Sequence, residues 1–235
     1  MAGVSAILLA GGRSSRFGSD KLRFVPPSCS CDMLQRSFSL LQGLPGVSRV
    51  AVSCREEQAG EIASRLPRGA AIVADQPHAQ TFPIFGMAAA LRKWPGTTLL
   101  LSCDLPLMER SVLSILLREH GRRRSGGAQR PLRTAFRHAD GRVETLVSVW
   151  EPESLPFIER SLAGGRYGLY AAIPPERQWL IPIVDPLPFF NLNTPQDVFF
   201  LHEHCRNALP VRSGAELPGP GPCPEGSRQE RCDTR

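Results

Sequence analysis

Short apolar runs and stretches of helical periodicity alternate along most of the chain. The runs at 4–10, 47–53, 71–74, 98–102, 145–150 and 179–184 are rich in Val, Ile, Leu and Ala and too short for core helices, which predicts strands. Between them, apolar positions at 33–41, 56–66, 85–92, 111–120 and 154–162 recur at spacings of three and four, which predicts amphipathic helices. Strands alternating with helices make a mostly parallel sheet covered on both faces, a Rossmann-like α/β fold. Such sheets hold their ligands at the carboxyl ends of the strands, near the point where strand order reverses. Thr194-Pro195-Gln196-Asp197 opens a last helix with a hydroxyl cap, proline at the first helical position and an acid in the first turn, and this helix is expected to reach about residue 205. From residue 210 Gly, Pro and Ser dominate, and too little apolar area remains to order the chain. The expected organisation is one domain over 1–209 and a disordered tail over 210–235.

Composition adds bounds to this pattern. A chain of 235 residues, 42% hydrophobic and 21% charged, suits one soluble domain with an ample core. A net charge of +6 favours anionic ligands without naming them. Seven cysteines are an odd number with no regular spacing, so reduced thiols in a cytoplasmic protein are expected, with Cys54 and Cys103 buried at strand ends. Cys29-x-Cys31 has no second pair at zinc spacing, and His202-x-His204, with no acidic or thiol partner at metal spacing, reads as surface. No run approaches the ~20 apolar residues that span a bilayer. The eight arginines between 118 and 142 read as a solvated, flexible loop around Gly126-Gly127, or else as a basic rim for a phosphate. With Phe136 as the one aromatic there, base stacking and nucleic-acid binding are not expected.

The chemistry concentrates in three segments. The first strand ends in Gly11-Gly12, and Arg13, Arg16 and Lys21 follow within nine residues. Adjacent glycines let the backbone approach a ligand closely, and Arg and Lys supply charge-assisted donors to phosphate oxygens. The spacing fits neither G-x-x-x-x-G-K-[ST] nor G-x-G-x-x-G, so the segment reads as a nucleotide-phosphate loop of another type. Second, Leu99-Leu100-Leu101-Ser102-Cys103-Asp104-Leu105-Pro106 is an apolar strand tipped by one carboxylate. Such an acid needs a cation, and Mg²⁺ held by one carboxylate together with substrate phosphates answers that need; capping the following turn is the plainer role. Third, in Asn191-Leu192-Asn193-Thr194-Pro195, Asn193 suits either a ligand or a turn, while Thr194 caps the helix. Asp75, before Gln76-Pro77, closes the third strand and suits a turn or a ligand equally.

The pattern Leu9-Ala10-Gly11-Gly12-x-x-x-Arg16-x-Gly18-x-Asp20-Lys21, with Cys-Asp-x-Pro at 103–106 and Asn-x-Asn-Thr-Pro at 191–195, resembles the molybdenum cofactor guanylyltransferases among the MobA-like nucleotidyltransferases. The resemblance covers about 4–205 and is loose over 115–180. It implies a fold of the nucleotide-diphospho-sugar transferase type and transfer of GMP from GTP to the terminal phosphate of molybdopterin, with release of pyrophosphate. It places Leu9, Ala10, Gly11, Gly12 and Lys21 at the nucleotide phosphates, Ser53 and Asp75 at the guanosine, and Asn193 beside the reacting groups. Asp104 would hold Mg²⁺, and Arg16 and Lys21 would balance charge on the departing pyrophosphate. Molybdoenzyme-maturation or cofactor-carrier proteins would be partners. The sequence departs from the family pattern at Phe82-Pro83-Ile84-Phe85-Gly86, where the first position is usually glycine, at Ser53, where Asn is frequent, and at Phe17, where Met is typical. A sister transferase using CTP, a sugar-phosphate nucleotidyltransferase and a noncatalytic nucleotide-binding protein that regulates or delivers cofactor stay open at this point.

Overall fold

A computed structural model of the chain describes residues 3–11, 17, 20–27, 29–75, 82–126 and 130–208. The expected tail over 210–235 lies outside them, as do Gly12 and Arg16. Seven strands form one sheet: β1 (Val4–Leu9), β2 (Val47–Arg55), β3 (Ala71–Asp75), β4 (Thr98–Ser102), β5 (Arg133–Arg137), β6 (Val143–Trp150) and β7 (Gln178–Pro182), in the order β3-β2-β1-β4-β6-β5-β7. All pairings are parallel except those of β6, which runs against both β4 and β5. The strand order reverses between β1 and β4. That is the switch point where an open α/β sheet receives its ligand.

Among the described residues six α-helices accompany the strands: α1 (Met33–Gln42), α2 (Ala59–Ser64), α3 (Pro83–Lys93), α4 (Arg110–Ser125), α5 (Leu155–Ala163) and, after β7, α6 (Pro195–Ala208). Two apolar cores sandwich the sheet. Leu34, Phe38, Ile62, Leu113 and Leu116 bring α1, α2 and α4 against one face, and Ile84, Met87, Leu91 and Ile158 bring α3 and α5 against the other. β4 is buried along its whole length, as its unbroken apolar run requires.

The sequence reading needs correction over 118–142. Arg118 and Arg122 to Arg124 lie on α4, which runs to Ser125, and Arg133 and Arg137 lie in β5. A solvated loop does not describe this stretch. β5 was hidden because its sequence, RTAFR, begins and ends in arginine. Arg133 is nonetheless fully buried, its guanidinium donating to the Leu169 carbonyl and to Gln178 and lying over the Trp150 ring at 5.2 Å. Burial pulls its pKa down to about 10. A basic rim around the switch-point site does not include Arg124, which reaches Thr97 Oγ1 (2.9 Å) at the start of β4, the edge of the sheet away from the switch-point loops.

Candidate active site

At the carboxyl edge the switch point is closed by three backbone ties. The Cys103 N–H donates to the Leu9 carbonyl, the Ala10 N–H to the Ser53 carbonyl and the Leu192 N–H to the Asp104 carbonyl (3.1, 2.8 and 2.9 Å). These bonds bring the ends of β1, β2 and β4 together with the Asn191–Asn193 loop. A small cavity of about 70 Å³ remains there, lined by Leu9, Ala10, Lys21, Leu22, Ser102, Cys103 and Asp104.

Lys21 is the hub. Its Nζ donates to Asn193 Oδ1 (3.1 Å), the Leu192 carbonyl (3.2 Å) and Asp104 Oδ2 (3.3 Å). Local chemistry holds it in place. Asp20 accepts the Leu22 N–H and caps a single 3-10 turn over Lys21–Arg23, while Leu22 is buried beneath. Arg65 then donates to the Leu22 carbonyl and to Asp32, both at 2.9 Å, and so ties this turn to α1. Burial lowers the Arg65 pKa, but Asp32 and Glu61 outweigh it and the guanidinium is raised above its ordinary value.

Asp104 follows from β4. A buried strand delivers it to the edge, and Lys21 takes one of its oxygens. The other, Oδ1, is buried and has no hydrogen-bond partner among the described residues. A hard carboxylate oxygen left this way, beside a cavity, fits a divalent cation such as Mg²⁺ that completes its shell with phosphate oxygens. Among the described residues no group of three or more His, Cys, Asp or Glu is placed to hold a metal by itself. The neighbouring Cys103 thiol is pushed far above its ordinary value, first by burial and then by the Asp104 charge, which makes it a packing residue rather than a nucleophile.

Of the residues singled out from the sequence, Leu9, Ala10, Lys21 and Asp104 line one cavity, and Asn193 joins through Lys21. Ser53 is buried within β2, two residues before its end, and Asp75 closes β3 opposite Arg55. Thr194 caps α6: its Oγ1 accepts the Asp197 N–H (3.3 Å), and Asp197 Oδ2 accepts the Asn193 and Thr194 N–H groups (2.8 and 2.7 Å). Phe17 is buried and meets Phe24 edge-on at 5.8 Å. Phe82 adopts φ −111° and ψ 142°, extended backbone that has no need of glycine, and its ring stacks on Tyr167 at 5.0 Å. Sequence reasoning missed the Leu192 carbonyl and Tyr167. The first is a backbone atom with no residue signature, and the second reaches Phe82 only because α3 and α5 pack side by side.

A model of the MobA-like NTP transferase domain matches residues 6–179. The chain belongs to this family. The probable molybdenum cofactor guanylyltransferase of Chloroflexus aggregans is 31% identical over 207 residues, covering 83% of this chain and 91% of that protein. The protein of the same name from Haloferax mediterranei is 33% identical over 116 residues, a stretch that spans 48% of this chain and 53% of the relative. Among solved structures, molybdopterin-guanine dinucleotide biosynthesis protein A from Archaeoglobus fulgidus superposes with a TM-score of 0.69 at 23% identity, covering 87% of this chain and all of that one. This member of the family is therefore a nucleotidyltransferase on a fold of the nucleotide-diphospho-sugar transferase type.

Proposed function

We propose that the protein transfers GMP from GTP to the terminal phosphate of molybdopterin, yielding the guanine dinucleotide form of the cofactor and pyrophosphate. The observation that carries this reading is the meeting of Lys21, Asp104 and Asn193 at the switch point, with one Asp104 oxygen left without a partner among the described residues. The names of the curated relatives supply the guanine and the molybdenum cofactor.

In the reaction a phosphate oxygen of the acceptor forms a bond to the α-phosphorus of GTP, and the bond from that phosphorus to the bridging oxygen of the β-phosphate breaks. The attacking oxygen is already anionic, so no general base is required, and positioning and charge neutralisation carry the catalysis. Gly11 and Gly12 present N–H groups to the phosphates. Lys21, pre-aimed by its turn, and Arg16 meet the negative charge that grows on the pyrophosphate. Asn193 supports Lys21 and offers its amide to the ligand, while the family resemblance assigns Ser53 and Asp75 to the guanosine. Asp104 Oδ1 would hold Mg²⁺, which when bound polarises the reacting phosphate oxygens and offsets their charge.

Incubation of the purified protein with Mg²⁺, molybdopterin and α-labelled GTP or CTP in separate reactions tests the assignment. Label is expected in a dinucleotide product from GTP alone, with release of pyrophosphate. Label from CTP, or nucleotide binding without turnover, would overturn it.

A further inference from the structure

The edge of the sheet opposite the switch point holds a groove of about 750 Å³. Its walls are apolar where Val4, Pro45 and Leu117 line it, and Arg118, Arg124 and Arg130 stand around it with no carboxylate among the lining residues. At its floor lies a buried polar network that the transfer reaction does not use. His120 meets Thr134 Oγ1 (2.8 Å) and Glu151 Oε1 (2.6 Å), and Thr97 donates to the same carboxylate oxygen (3.0 Å). Arg124 is part of this network, 3.6 Å from Glu151, and Arg118 lies 3.9 Å from Glu119. Arg130 is exposed and has no ion pair among the described residues. A second cavity of about 110 Å³ adjoins through Arg124 and Arg130; Glu151 and Glu153 line it together with Arg177, whose buried Nε has no acceptor among the described residues.

We propose that this groove is a second ligand site, taking a phosphorylated small molecule with an apolar or planar body. The size falls within the range of small-molecule sites, which pair apolar walls with a few charged groups that fix orientation. Cations from α4 and from the segment leading into β5 offset the negative end of the α4 dipole and leave a surplus for phosphate. A protein surface of the usual kind would be flatter. The site is remote from the transfer chemistry. β4 alone separates its two ends by roughly 15 Å at the rise of an extended strand.

The proposal uses none of the transfer residues and can fail while the transfer assignment stands. The probe is an N-methylanthraniloyl nucleoside monophosphate, which carries a planar fluorophore and one phosphate, followed by fluorescence anisotropy at low and high salt. Binding is expected to weaken with salt and to persist in Lys21→Ala. It is expected to weaken about tenfold in the double variant Arg118→Gln/Arg130→Gln, whose nucleotidyl transfer stays at the wild-type rate. Both substituted side chains lie at the surface, so folding is not at issue. Unchanged affinity in the double variant overturns the proposal, as does loss of all binding in Lys21→Ala, which would put the probe at the carboxyl edge. Capture of an acidic peptide but not of the probe would make the groove a protein-docking surface and likewise overturn it.

Discussion

Asp104 carries two demands that pull against each other. Its Oδ2 is neutralised by Lys21 at 3.3 Å, and its Oδ1 is buried with no hydrogen-bond partner among the described residues, which costs free energy until a cation meets it. Replacing Asp104 by Ala removes that cost together with the oxygen proposed to hold Mg²⁺. Transfer is expected to fall at least about a thousandfold while thermal stability stays level or rises. A rate assay alongside a melting curve checks both, and retained transfer would remove Asp104 from the mechanism. Phe82 makes a different case. The family-type glycine at this position would lose the stacked ring and gain backbone freedom, so Phe82→Gly is expected to lower stability by about 2 kcal/mol in chemical denaturation. The aromatic departure from the family pattern is thus tied into the α3–α5 packing, and Tyr167 is what holds it.

At the scale of elements, the site depends on how short segments begin and end. Asp20 caps the turn bearing Lys21, Asp32 and Gln35 form a capping box on α1, and Thr194 with Asp197 forms another on α6. Thr194→Ala is expected to cost about 1 kcal/mol and to slow transfer severalfold by loosening Asn193, with Thr194→Ser restoring both. Melting temperature and initial rate together separate a positioning role from plain stability. These caps were legible in the sequence because hydroxyl, acid and proline stand at fixed offsets from the helix. Six of the seven strands were legible for a related reason, since each is short and rich in apolar or β-branched residues. β5 was not legible. Its arginines read as solvent-facing, and the burial of Arg133 rests on Leu169, Gln178 and Trp150, which come from three other elements.

Across the whole molecule the two edges of the sheet divide the labour. The carboxyl edge gathers Lys21, Asp104 and Asn193, and the amino edge is knotted by Glu151, which joins α4 to the starts of β4 and β5. Burial tends to raise the Glu151 pKa, but hydrogen bonds and charge from His120, with Thr97 and Arg124, prevail and lower it below the ordinary 4.5. A carboxylate lowered on folding adds stability above its unfolded value, and that stability is lost as pH falls through the folded one. The wild type is therefore expected to lose stability progressively below about pH 4.5. Glu151→Gln is expected to start less stable at neutral pH and to show a shallower acid limb, as measured by denaturation across pH.

The amino-acid sequence by itself determined the alternation of strands and helices, the glycine- and cation-rich segment after β1, the carboxylate at the tip of β4 and the capped helix after Asn193, because each rests on residues close together in the chain. Tertiary structure alone decided that Lys21, Asp104 and Asn193 share one cluster, since 83 and 171 residues separate Lys21 from Asp104 and from the Leu192 carbonyl. It also decided that Arg124 belongs to the far edge. α4 returns from the end of β4 to its beginning, and a helix reverses its charges in space without any sign in their order.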